Sequence, residues 1–256
     1  MKRKYIILGL AIASIGTGFM ARMYIHPPTL RPGSGQEKLG RQNASGELSV
    51  PAQTQPLYAF GNSQWVKADY TFGANKGELN KNNVSQNHNT LLLMSPANTY
   101  DGAGIESVGR YSFGLFSSRI QCPKLLGAIC TFFLYEDTPD KKANEIDMEI
   151  YTDGSRKIDL VVHVKGLRKY YTQLILPFDP SEDFHEYLID YQESQINFYA
   201  DSKFLARFEN DIGQSAMKIV SNLWWPEWMP LSSKAPEDRF MQIGLIQYES
   251  SNLISR

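Results

Sequence analysis

Short apolar or alternating runs recur along the chain at 90–94, 113–120, 128–134, 146–151, 158–164, 170–176, 186–190, 195–199, 217–223 and 240–248, nearly all separated by turn residues. Runs of about 4–8 residues with this punctuation are strands. No stretch holds helical spacing over the ten or so residues that a helix needs, and no internal repeat of fixed period is present. The pattern therefore predicts an all-β sandwich of antiparallel sheets.

The N-terminal part has a different texture. Lys2-Arg3-Lys4 precedes an uncharged run, 5–21, closed by Arg22. This is the layout of a signal peptide or signal anchor over residues 1–26, without a convincing cleavage site. The run is just long enough to anchor the chain in a membrane, with the basic end held in the cytoplasm and everything after it exported to a periplasmic or extracellular space. Residues 27–56 are rich in Pro, Gly, Ser and Gln and read as a flexible linker. Residues 57–256 are left for one domain, expected to be a monomer. In an oxidising space Cys122 and Cys130 either pair or stay as two buried thiols. With 26 Lys plus Arg against 27 Asp plus Glu, the net charge is -1, so the chain has no basic field for nucleic acid. Aromatics make up 12%, which suits either a surface that stacks sugar rings or an aromatic-rich core.

Within the run Asn144-Glu145-Ile146-Asp147-Met148-Glu149 acids and apolar residues alternate. A strand there puts three carboxylates on one face and Ile146, Met148 and Ile150 on the other. Like charges at alternate positions of one sheet face repel, so the arrangement costs stability and hints at a use. Paired carboxylates with different protonation states are the equipment of a glycosidase. A solvated acidic strand opposed by Lys or Arg and a carboxylate cation site are the alternatives. A helix, with Glu145 and Glu149 one turn apart, fits poorly with the continuation Ile150-Tyr151-Thr152.

Glu145-Ile146-Asp147-Met148-Glu149 resembles the Glu-x-Asp-x-Glu signature of glycoside hydrolase family 16, in the un-bulged form of lichenase-like and xyloglucan-active members. Trp65-Val66-Lys67-Ala68-Asp69, Tyr111-Ser112-Phe113-Gly114-Leu115-Phe116, Phe184-His185-Glu186-Tyr187 with Asp190-Tyr191, and Asn222-Leu223-Trp224 resemble further family segments in the same order. The resemblance implies a concanavalin-like β-jelly roll of two antiparallel sheets with a concave cleft. It also implies endo-acting hydrolysis of a polysaccharide, β-glucan-like or an exopolysaccharide, by double displacement with retention. Glu145 would be the nucleophile, Asp147 its partner and Glu149 the general acid/base. No cofactor is required; a structural Ca²⁺ occurs in the family, but the resemblance assigns it no ligands in this sequence.

For substrate binding the resemblance points to Glu106, His163, Asn222 and Trp224, with Trp228 added from the aromatic loop Trp225-Pro226-Glu227-Trp228. Trp225 is either a further platform or core. The Arg expected two residues after Glu106 is Val108 here, so that either Arg110 replaces it or the subsite differs. The family's polar contacts on one strand fall at Val161 and His163, and Val161 cannot hydrogen-bond. His185 is expected to be structural, and His26 and His88 have no partner at metal-ligand spacing. Asn43 and Asn83 lie in glycosylation sequons. A transglycosylase would use the same three acids; a non-catalytic sugar-binding module would need only the aromatics.

Overall fold

The computed structural model describes residues 64–72, 74–139, 142–230 and 233–251. The leader 1–26, the linker 27–56, His26 and Asn43 lie outside the described residues. The strands are β1 (Trp65–Lys67), β2 (Val84–Asn87), β3 (Thr90–Ser95), β4 (Ala103–Ser107), β5 (Gly114–Gln121), β6 (Ile129–Tyr135) and β7 (Glu145–Tyr151). They continue as β8 (Lys157–Val164), β9 (Leu167–Ile175), β10 (His185–Tyr191), β11 (Gln195–Ala200), β12 (Lys203–Glu209), β13 (Lys218–Trp224) and β14 (Arg239–Ser250).

They form two seven-stranded sheets, ordered β1-β4-β13-β6-β7-β8-β9 and β12-β11-β10-β5-β14-β3-β2. Every pairing is antiparallel. The expected two-sheet jelly-roll sandwich is thus the observed fold, and each of the ten runs read from the sequence lies on a strand. β1, β2, β4 and β12 were not among those runs.

The inner faces of the two sheets meet in one apolar core. Ile146, Met148 and Ile150 of β7 and Leu160 and Val162 of β8 face Phe116, Ile120, Ile189, Phe198 and Ile243 of the second sheet, all fully buried. Each such side chain contributes about 1.5–3 kcal/mol on burial. Cys122 and Cys130 are free thiols in this core. Burial pushes the Cys130 thiol well above its ordinary range, with Cys122 beside it adding to the effect, so the thiolate is suppressed.

The entry to β7 is fixed by Asn144. Its amide N–H and side-chain NH₂ both donate to Glu136 Oε2, at 3.1 and 2.8 Å, and its side-chain oxygen accepts from the backbone N–H of Lys165 at 3.0 Å. Gly213, at φ 73°, passes so close that an added Cβ would lie 2.7 Å from the Asn144 carboxamide. Both the conformation and the space require glycine there. One side chain therefore ties the end of β6, the β8–β9 turn and the 213–215 loop to the start of the acidic strand.

Trp225 settles as core. It is fully buried, its indole N–H donates to Ser95 Oγ at 2.9 Å, and it meets the Tyr100 ring edge-on at 5.2 Å. Its backbone oxygen accepts from Lys76 N–H at 2.9 Å, which draws the 70–80 segment over the end of the first sheet. We expect Trp225→Ala to lose about 3–5 kcal/mol of stability, read from denaturant melts, because it empties a large apolar site and strands the Ser95 hydroxyl. A variant as stable as the wild type would show that this ring does not anchor the segment.

Candidate active site

The outer face of the first sheet is ordered by register. Across the row through Glu145 lie Lys218, Tyr135, Glu145, His163 and Arg168. The row through Asp147 reads Glu106, Val220, Phe133, Asp147, Val161 and Tyr171, and the row through Glu149 reads Gly104, Asn222, Thr131, Glu149, Asp159 and Gln173. A bulge in the β8–β9 pairing between Val162 and His163 sets Arg168, in place of Lys169, opposite His163. Bulges re-aim side chains in this way. Arg168 then lies over the Tyr171 ring at 5.3 Å.

The three acids therefore project together on the outer face, as alternation predicts. His163 Nδ1 lies 3.6 Å from both Glu145 Oε2 and Asp147 Oδ2, within charge range and beyond a hydrogen bond. Burial raises the Glu145 carboxyl well above its ordinary value and Asp147 adds to the rise, while His163 opposes it. Asp147 is likewise raised, first by burial and then by Glu149. Glu145 and Asp147 share a hydrogen bond and so titrate as a pair. Burial, then Asp159, then Glu145 push Glu149 up to about 8, against His163 and Arg168. All three carboxyls are thus raised, so this face retains protons at pH values where free carboxyls are ionised.

Glu145, Asp147 and His163 are the one group among the described residues that brings three His, Cys, Asp or Glu ligand-type atoms within 4.8 Å of one another. The shared proton and the imidazole account for that closeness, and we assign it no ion.

Glu106 pairs with Lys218 at 2.7 Å, a partner supplied by β13. The Arg110 guanidinium lies 3.9 Å from Asp137, and the cation on Glu106 is Lys218, so of the two readings, replacement by Arg110 or a different subsite, the geometry favours the second. Asn222 is buried and its side-chain oxygen accepts from the Thr131 hydroxyl at 2.6 Å. Trp224 lies on the outer face as expected, yet it is a covered ring and not an open platform. It is 7% exposed, packed on Phe72 at 4.8 Å and met edge-on by Trp228 at 6.5 Å. The open indole is Trp228, 41% exposed and 6.3 Å from Tyr151. Trp224 and Phe72 belong to a small apolar cluster with Ala68, Leu79 and Met229, which explains the burial.

His185 is structural, with Nδ1 2.7 Å from Asp201 Oδ2 and its ring stacked on Phe178 at 3.6 Å. His88 is exposed and contacts Asn87. Asn83 is buried with its NH₂ donated to the Gly102 carbonyl at 2.9 Å, which leaves its sequon closed. Lys218, Arg168, Tyr151 and Asp159 were missed by the sequence reading. The signal for Asp159 was available: it alternates with Val161 and His163 along β8, on the face that carries the acids.

The family model for glycosyl hydrolases family 16 matches residues 69–238. The β-glucanase of Bacillus subtilis (strain 168) is 30% identical over 179 residues, which span 66% of this chain and 73% of that protein. The β-glucanase of Paenibacillus polymyxa is 29% identical over 180 residues, 66% of this chain and 74% of that one. Among solved structures, the Bacillus licheniformis β-glucanase superposes with a TM-score of 0.70 at 24% identity, covering 77% of this chain and 97% of that one.

The raised Glu149 carboxyl has a consequence for stability. The folded chain keeps this proton to about pH 8, whereas an unperturbed glutamate releases it near 4.5. Between those values the folded state binds more protons than the unfolded one, so stability falls as pH rises through that window. Glu149→Gln removes the ionisation and should melt higher than the wild type, with a Tm advantage that grows from pH 5 to pH 8. An advantage that is flat or shrinks over this range would contradict the raised carboxyl.

Proposed function

The chain belongs to family 16 of the glycosyl hydrolases, and on that premise we propose that Glu145, Asp147 and Glu149 carry out its reaction on a β-glucan-like polysaccharide. It is an endo-acting β-glycosidase of a family that retains anomeric configuration. The observation that carries the assignment is the register of β7, which projects Glu145, Asp147 and Glu149 together on the outer face in the order of the family's Glu-x-Asp-x-Glu motif. Burial raises all three carboxyls; His163, 3.6 Å from Glu145, opposes the rise there, and burial with Asp159 and Glu145 pushes Glu149 up to about 8.

In the first step the Glu145 carboxylate attacks the anomeric carbon, the glycosidic C–O bond breaks, and Glu149 gives its proton to the departing oxygen. Asp147 hydrogen-bonds the attacking carboxyl. In the second step Glu149, now a carboxylate, takes a proton from water as that water attacks the anomeric carbon and frees Glu145. Retaining enzymes need about 5–5.5 Å between the two carboxyl groups. Residues four apart on a strand have Cα atoms about 13 Å apart, so this mechanism requires the two long side chains to lean towards each other across Asp147.

Substrate preference follows from the same face. Val161, beside Asp147 in the register, offers no hydrogen-bond partner to a sugar hydroxyl, and Trp228 offers an open apolar ring. A polymer that presents ring faces or apolar substituents to Trp228 is favoured, and plain mixed-linkage β-glucan should be a poor substrate. Export, supported by Lys2-Arg3-Lys4 and the uncharged run 5–21, would place the domain where such polymers lie.

Two tests follow. On a polymer found with a polysaccharide panel, Glu145→Ala and Glu149→Ala should each lower turnover by about 10²-fold or more with unchanged melting cooperativity. Near wild-type rates in both would remove the assignment, and products longer than the substrate would mark transglycosylation. On the same polymer Trp228→Ala should raise KM more than Val161→Asn does, while Val161→Asn improves mixed-linkage glucan turnover. Wild-type turnover of that glucan at the rate of the best polymer would show that Val161 and Trp228 do not set specificity.

A further inference from the structure

Asp159 stands directly across from Glu149, in register on the neighbouring strand. It is only 4% exposed, Oδ2 accepts from the Tyr151 hydroxyl at 3.0 Å, and Oδ1 accepts from Gln173 Nε2 at 2.8 Å. The Tyr171 hydroxyl bonds to it as well. Among the described residues it forms no ion pair with Lys, Arg or His. A buried carboxylate facing another carboxylate is a destabilising choice for a sheet, and its lateral neighbours Glu149 and Gln173 are polar. An amide at this place would donate an N–H to Glu149 and favour its anion; a carboxylate bound by several donors does the reverse.

We propose that Asp159 is a positioning residue for Glu149: its carboxylate, fixed by Tyr151 and Gln173 across the strand pair, keeps on Glu149 the proton that goes to the leaving oxygen. The inference rests on the reading of Glu149 as the acid. Burial makes the largest contribution to the rise at Glu149, and Asp159 is the charged group that adds most to it. On β7 itself are Glu145, Asp147 and Tyr151; β6 contributes the uncharged Thr131; β8 adds His163 beyond Asp159; β9 brings Arg168 and Tyr171. His163 and Arg168 favour the anion, so they work against retention of the proton. Glu145 supports it, but less than Asp159 does.

The test is the pH profile of kcat/KM for Asp159→Asn, with Asp159→Ser as a smaller uncharged variant should the amide disturb folding. The alkaline limb should move down by about one pH unit, so that the variant is about fivefold slower than the wild type at pH 8 and about tenfold slower above pH 9. At pH 5.5 its kcat and KM should stay within about threefold of the wild type, and Asp159→Glu should restore the limb. An unmoved limb in an active, folded variant overturns the proposal. A loss equal at every pH with a raised KM overturns it too, since that marks a sugar contact.

Glu149→Ala separates this from failure of the parent reading. If Glu149 is the acid, that variant is inactive on the polymer and much less impaired on an aryl β-oligoglucoside, whose leaving group needs no proton. If it cleaves the polymer normally, the acid reading falls first.

Discussion

Everything on the outer face depends on the register of β7 between β6 and β8. Side chains alternate along a strand, so a slip of one residue would send Glu145, Asp147 and Glu149 into the core and expose Ile146, Met148 and Ile150. Each inward residue is worth about 1.5–3 kcal/mol, and each buried unpaired carboxylate would cost several more, so the slipped register is out of reach. Asn144 sets the starting point mechanically, through its bonds to Glu136 and Lys165. The apolar half of the alternation thus holds the acidic half in place.

That acidic half is expensive, and the residues around it share the strain. His163 sits between Glu145 and Asp147, and the bulge beside it turns Arg168 onto the same row. Glu106, at the far side of the sheet, has its own cation in Lys218 at 2.7 Å. The structure therefore does not neutralise its carboxylates uniformly. Among the described residues Glu149 and Asp159 face each other without an ion pair, and it is there that we propose the proton is kept.

How much of this could be read in the sequence depended on whether periodicity or contact decided the matter. The fold was legible because the ten runs that gave it away are mostly inner strands, whose apolar alternation is imposed by the core. The overlooked strands lacked that imprint. β1, β2 and β12 are sheet edges, and β4 is a short Ala-Gly-Ile-Glu-Ser segment. The acidic trio was legible because strict alternation of carboxylates with Ile and Met suits a strand with one buried face and fits a helix badly. Partners were not legible. Lys218 reaches Glu106 across 112 residues, and Trp224 is covered by Phe72 from a segment about 150 residues earlier, neither of which any local pattern reports. Trp225 and Trp228 differ by three positions in one loop, yet one is core and the other open, because only Trp225 finds Ser95 for its N–H.

On the proposed roles two chemically identical side chains on one strand must differ in protonation, and the rows that cross the sheet give them different surroundings. The row through Glu145 carries Lys218, His163 and Arg168; His163 favours the Glu145 anion against the rise that burial and Asp147 impose, while Lys218 is taken up by Glu106. Two turns of the pleat away, the row through Glu149 carries Asn222, Thr131, Asp159 and Gln173, with a carboxylate next to it and no cation in line. Beyond it the face becomes apolar, with Ile129, Tyr151, Trp224 and Trp228 lowering the local polarity further. The strand thus runs from a positive end to an acidic and then an aromatic one. Position along β7 does not by itself separate the two glutamates, since burial raises both; on the proposed roles their neighbours, His163 at Glu145 and Asp159 at Glu149, distinguish the carboxyl that attacks from the one that protonates.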